Sequence, residues 1–304
     1  MPRHHAAHSA SLGPLPEFRR NASRNVRPHR PVGRRSGAKP VTCDHIRIDR
    51  DDHGIASVTV ARADIGNASS PEMLGEIRDA FAALSGDREV RAILFAAEGK
   101  HFSVGADFAF LEKLTGMAAS EIKDTVYANF QGAARAIYRC PKPTLALVQG
   151  AAVTVGCELA LACDFRIAAD NAMFQESWIK LGIMPPLGGT FLLPRIVGLG
   201  RAMEMCLRGK QVRAEEALAI GLVSEVVARG DLPARGMELA RELAASAPLG
   251  YTTVKQSIQR ALESSMEAEW QANLPNQALL LGSKDHREGL AAVTEKRAPV
   301  FRGE

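Results

Sequence analysis

The chain has 304 residues, 46% of them apolar and 24% charged, the proportions of an ordinary soluble globular protein. No run approaches the roughly 20 apolar residues that a membrane helix needs, and Cys43, Cys140, Cys157, Cys163 and Cys206 form no C-x-x-C pair, so they read as reduced residues of a cytoplasmic protein. The formal net charge of +4 is uneven: residues 1–40 hold eight arginines, one lysine and a single acid, Glu17, and the rest of the chain is mildly acidic.

Residues 1–40 mix Arg, His, Pro, Ser and Gly with no helical or strand period. Such a segment buries too little surface to offset its ordering entropy and reads as a disordered basic leader. Its arginines have no amphipathic partner face, so neither a targeting role nor nucleic-acid binding is expected of it.

Beyond the leader, His45–Asp49 and Ile55–Ala61 around Asp51-Asp52-His53-Gly54 predict a hairpin. After Pro71, apolar Met73, Leu74, Ile77, Ala80, Phe81 and Leu84 fit the 3.6-residue helical period. Val90–Ala97 reads as a buried strand, Glu98–Asp107 as a glycine-containing loop, and Ala119–Tyr138 as one long helix. Phe165–Ala168 and Ala172–Gln175 read as short strands, and Pro185-Pro186 with Gly188-Gly189 as a turn into a helix over Gly189–Val197. Helices over Arg201–Leu207 and Ala214–Ile220 lead to a strand-like Leu222–Val227. Everything from Leu232 on is helical, including Tyr251–Leu262, Glu267–Leu281 and Lys284–Glu295. The order predicts an α/β core over 41–230 and a helical region over 231–304.

The stretch Leu145–Asp164 organises this pattern. Leu145–Val148 is a short apolar strand, Gln149-Gly150 breaks it, and a loop of small residues leads into an almost wholly apolar helix carrying Glu158 in its first turn. A helix apolar nearly all round is buried, and a glutamate inside it needs a partner or a task. Pairing with an arginine or a water pocket is one reading. The other is an acid–base group beside an oxyanion hole, because the first N–H groups of a helix have no internal partner and suit an oxygen gaining negative charge.

Ordered motifs favour the second reading. They are Asn67-Ala68; His101-Phe102-Ser103-Val104-Gly105-Ala106-Asp107; Gly156-Cys157-Glu158-Leu159-Ala160 with Cys163-Asp164; and Gly182-Ile183 with Pro185, Gly188-Gly189 and Leu193-Pro194-Arg195. Later come Gly209, Ala214 and Glu216-Ala217 with Gly221-Leu222-Val223, then Arg287-Glu288-Gly289 and Glu295-Lys296-Arg297. In this order they resemble the crotonase superfamily of enoyl-CoA hydratases and isomerases. The resemblance implies a spiral of ββα turns with a C-terminal helical trimerisation region, assembled as a homotrimer or dimer of trimers. It also implies an acyl-CoA substrate, with coenzyme A as part of that substrate and no separate cofactor or metal. By motif position Glu158 is the catalytic acid–base, the N–H groups of Ala106 and Val155 form the oxyanion hole, and Asp107, Phe108 and Ala109 contact the CoA portion.

This chain departs from the family pattern at three places. Thr154-Val155-Gly156 replaces a run of glycines, and a stiff valine that resists positive φ would tighten the hole. Phe108-Ala109-Phe110 is more apolar than the usual Asp-x-Lys-Glu and would reshape the acyl pocket. Trp178 stands where typical hydratases carry a second glutamate, and an indole cannot serve as a base. Glu176, two residues earlier, is either its substitute or a surface or structural carboxylate. Dehalogenases of chlorobenzoyl-CoA share the tryptophan but need an aspartate eight residues later, which is Pro186 here; dienoyl-CoA isomerases lose their acids at the same two positions. His101 reads as a solvated loop histidine, and Gly198-Leu199-Gly200 lacks the rest of a dinucleotide fingerprint. The expected activity is hydration of a 2-enoyl-CoA or a 3-to-2 double-bond shift, with another enolate-forming lyase or hydrolase and a non-catalytic acyl-CoA binder as alternatives.

Overall fold

A computed structural model describes residues 43–304, so the expected leader over 1–40 lies outside the described residues. The strands are β1 (Ile46–Arg50), β2 (Ile55–Val60), β3 (Ala92–Ala97), β4 (Thr144–Val148), β5 (Ala151–Val153), β6 (Phe165–Ala169), β7 (Met173–Gln175), β8 (Gln211–Arg213) and β9 (Glu225–Val227). The helices of the first half are α1 (Pro71–Gly86), α2 (Phe108–Leu114), α3 (Ala119–Thr125), α4 (Gln131–Tyr138) and α5 (Val155–Ala162). Those of the second half are α6 (Gly189–Val197), α7 (Leu199–Arg208), α8 (Ala214–Ala219), α9 (Leu232–Ala244), α10 (Pro248–Ala261), α11 (Met266–Gly282) and α12 (Lys284–Glu295).

A six-stranded sheet runs β1-β2-β3-β4-β6-β9, antiparallel only between β1 and β2. The expected hairpin forms because Asp51 Oδ1 accepts from the N–H groups of His53 and Ile55 at 2.9 and 2.8 Å, closing its turn. Parallel strands need crossovers and are covered on both faces, and alternate side chains show it. Ile93, Phe95, Ala146 and Val148 join the larger core with α1, α4 and α5. Ala92, Leu94, Leu145 and Leu147 point the other way into a smaller core with α9. Thus β4 is buried along its whole length.

Helix α1 buries Met73, Leu74, Ile77, Ala80, Phe81 and Leu84, and Ser70 caps its start by accepting from Met73 N–H at 3.3 Å. The helix expected over Ala119–Tyr138 is interrupted: a π turn at Val126–Phe130 joins α3 to α4. Only Glu225–Val227 of the strand-like Leu222–Val227 is a strand, since Leu222 N–H turns back to Ala217 O at 2.8 Å. Three elements were not predicted. Asp107 caps α2, β5 lies in the small-residue loop, and β8 completes a second sheet in the order β5-β7-β8. This second sheet positions the site: its strand β5 leads straight into α5.

Candidate active site

One short parallel pairing brings the loop before α2 against the segment before α5, and a second ties the same loop to the segment before α1. Ser103 N–H donates to Ala151 O at 2.9 Å and Val153 N–H to Ser103 O at 3.0 Å. One step on, Ser69 N–H donates to Gly105 O at 2.8 Å and Asp107 N–H to Ser69 O at 3.0 Å. Parallel pairing of this kind uses the groups on either side of Ala106 and turns its own N–H away. Asn67 fixes the loop from below: its side chain donates to Glu98 O and His101 O and accepts from Arg62 N–H. His101 is a brace rather than a solvated loop residue, because its Nδ1 accepts from Ala151 N–H at 3.0 Å.

Thr154 N–H continues the second sheet to Gln175 O at 2.8 Å. Thr154 then takes φ 46°, ψ −108°, and Val155 begins α5. The positive φ expected to trouble Val155 therefore falls one residue earlier. An L-residue at that φ carries strain of the sort found at functional turns. Among the described residues, neither the N–H of Ala106 nor that of Val155 donates to a protein acceptor. Gly156 allows the close approach: a Cβ there would lie 2.6 Å from Ser103 Cβ and 3.1 Å from Ser103 O.

Glu158, one helical turn into α5, is 1% exposed. Its Oε1 accepts from the Trp178 indole Nε1 at 3.0 Å, and its Oε2 accepts from Leu187 N–H at 2.9 Å and Gly189 N–H at 2.7 Å. Gly189 is needed for this contact, since a Cβ would sit 3.0 Å from Glu158 Oε2. Burial pushes the Glu158 carboxyl up to about 7, against the pull of the Gly189, Leu187 and Trp178 donors. A carboxyl that titrates near neutrality can both take and return a proton.

Trp178 begins a 3-10 turn, Trp178–Leu181, and is 2% exposed. Glu176 is not a surface carboxylate: it is 0% exposed and no donor reaches either of its oxygens in hydrogen-bonding geometry. The Cys157 thiol nonetheless lies close enough to favour its charged form. Burial, then the Glu158 charge, raise the Glu176 carboxyl well above the usual range.

The segment Asp107–Ala109 divides. Asp107 and Ala109 line a cavity of about 230 Å³ with His45, Arg62, Ser70 and Lys113. The Asp107 carboxylate is engaged as the cap of α2, accepting from Ala109 N–H at 2.9 Å. Phe108 is 75% exposed, and Phe110 packs inward on Phe130 with ring centroids 5.5 Å apart.

Sequence reasoning named Glu158 and Trp178 but missed that they bond each other, and it missed the N–H groups of Leu187 and Gly189. The Pro-Pro and Gly-Gly pairs at 185–189 were the available signal, read only as a turn.

The sequence profile described as enoyl-CoA hydratase/isomerase matches residues 50–304. A crotonyl-CoA hydratase of Syntrophomonas wolfei is 33% identical over 259 residues, 85% of this chain and 98% of that protein. An Arthrobacter 4-chlorobenzoyl coenzyme A dehalogenase is 34% identical over 255 residues, 83% of this chain and 91% of that protein. The crystal structure of an enoyl-CoA hydratase from Bacillus anthracis superposes with a TM-score of 0.80 at 30% identity, covering 86% of this chain and 100% of that one. The chain belongs to the enoyl-CoA hydratase/isomerase family, the crotonase superfamily, and has its α/β fold with C-terminal helices.

Proposed function

We propose that this protein is an acyl-CoA enzyme of the hydratase/isomerase type. Glu158 moves a proton at C2, beside the thioester, while the N–H groups of Ala106 and Val155 hold the thioester oxygen as an enolate. The observation that carries this reading is the pairing of a buried carboxyl titrating at about 7 with two peptide N–H groups that have no protein acceptor. When Glu158 takes the C2 proton, the C–H electron pair moves toward the carbonyl and the charge develops on oxygen. Two N–H groups with no protein acceptor are free to stabilise it, each contributing about 3–4 kcal/mol. Asp107, Phe108 and Ala109 would meet the CoA portion, which enters as part of the substrate.

Hydration of a 2-enoyl-CoA is the leading reaction, in keeping with the named activity of the Syntrophomonas relative. It asks Glu158 to help water add at C3 and to deliver a proton to C2. A 3-to-2 double-bond shift asks less, since one base takes the C2 proton and returns it to C4. Trp178, bonded to Glu158 where a second carboxylate would stand, favours this second reading. The dehalogenase relative is no guide to activity, because Pro186 offers no nucleophile.

Assays on crotonyl-CoA hydration and on conversion of a 3-enoyl-CoA decide between them. Hydration abolished by Glu158→Gln is the expected result; a double-bond shift without hydration selects the second reading. Neither reaction, with acyl-CoA still bound, leaves another enolate-forming lyase or hydrolase, or a binder.

The exposed apolar residues of α10 to α12, among them Val254, Ile258, Trp270, Leu274 and Val293, support assembly as a homotrimer or dimer of trimers. The five free thiols suit the cytoplasm.

A further inference from the structure

Two carboxyl groups share the interior beside α5, and they are held in opposite ways. Glu158 accepts three hydrogen bonds, all from N–H donors that favour its charged form. Glu176 follows β7 directly, is wholly buried, and has neither oxygen bonded. The titratable groups facing it are Glu158 and Cys157 from α5 and Cys206 from α7. Burial, with the nearby glutamates, keeps both thiols protonated. Among the described residues, no lysine, arginine or histidine forms an ion pair with Glu176.

A buried, unbonded carboxylate is costly enough that such a group holds its proton instead. Two neighbouring carboxyls in low dielectric also resist carrying two charges at once. Where one charge must be chosen, it goes to the oxygens with three N–H donors, and the proton goes to those that only the weakly donating Cys157 thiol approaches. We propose that Glu176 is a buried, uncharged carboxylic acid and no part of the proton-transfer machinery: it carries the pair's one proton and leaves Glu158 the free carboxylate. The idea rests on the reading of Glu158 as the base and adds that its buried neighbour carries no competing charge at neutral pH. An ionised Glu176 would repel the Glu158 charge and fill Glu158 with a proton. A protonated Glu176 also cannot take a proton from water, so it is not the missing second base of a hydratase.

Infrared spectra of the full chain and its Glu176→Gln and Glu158→Gln variants test this. At mildly alkaline pH the wild type should show the C=O stretch of a buried protonated carboxylic acid. The band should persist in Glu158→Gln and vanish in Glu176→Gln. Exchange of the C2 proton of a saturated acyl-CoA into heavy water is measured alongside. Glutamine is a neutral isostere of the acid, so Glu176→Gln should keep exchange within about threefold of wild type, with its acid limb still near neutrality. A wild type without the band, or a band lost in Glu158→Gln instead, overturns the proposal. So does a fall in exchange of about a hundredfold or more in Glu176→Gln, the loss expected of a working general base. If Glu176→Gln does not fold, persistence of the band in Glu158→Gln still decides where the proton sits. A wild type that shows the band but exchanges no C2 proton would refute the base reading of Glu158 and leave the proton on Glu176.

Discussion

Trp178 donates its indole N–H to Glu158 Oε1 at 3.0 Å from a buried position. It cannot be a base, yet it touches Glu158 and favours its charged form. A hydrogen bond to a charged group contributes about 1.5–3 kcal/mol, and about 1.4 kcal/mol is one pKa unit. Trp178→Phe removes one of three donors, so the Glu158 carboxyl should hold its proton to a higher pH. The acid limb of the pH–rate profile should then move upward from neutrality by about one unit, leaving the variant less active below the plateau. An unmoved limb would mean that the indole does not govern Glu158. The sequence made Glu158 legible because a lone carboxylate in an apolar helix is conspicuous. The N–H donors of Leu187 and Gly189 were hidden, because a backbone group's direction depends on how the chain returns, not on which side chain it bears. Glu176 was half legible: its closeness to the site was foreseen, its complete burial was not.

Helix α5 and the loop over residues 101–107 meet through Ser103 and Gly156, and this contact brings the segments bearing the Ala106 and Val155 N–H groups together. A methyl group at 156 would meet Ser103 Cβ at 2.6 Å, and neither partner is a flexible side-chain end. Gly156→Ala should force the first turn of α5 away from the loop. Small misplacements of positioned groups cost on the order of a hundredfold, so kcat should fall by about that factor while far-ultraviolet circular dichroism shows a folded chain. Full activity would show that the two N–H groups need not be held together. Strands and helices with a clear period were readable, α1 residue by residue. The three-residue β5 and β8 carry too few residues for a period, and they exist through pairing with β7. Helix α2 was missed although Asp107 before an apolar run is a cap signal.

The molecule as a whole leaves a row of large apolar side chains on α10 to α12 in solvent, including Trp270 at 61% exposed and Leu274 at 65%. Patches of this kind mark interfaces. Sedimentation should give a trimer or hexamer, and Trp270→Glu with Leu274→Glu should shift it toward the monomer; a monomeric wild type would refute the assembly. The sheet order was not readable from periodicity, which assigns strands but not neighbours, and the crotonase spiral came from the order of motifs. Proton exchange at C2 of a saturated acyl-CoA in heavy water isolates the role of Glu158, since it needs neither hydration nor a double bond. The wild type should exchange the C2 proton, and Glu158→Gln should lose exchange by at least about a hundredfold while binding the same acyl-CoA with nearly unchanged affinity. Equal exchange in the two proteins would contradict the assignment of Glu158 as the base.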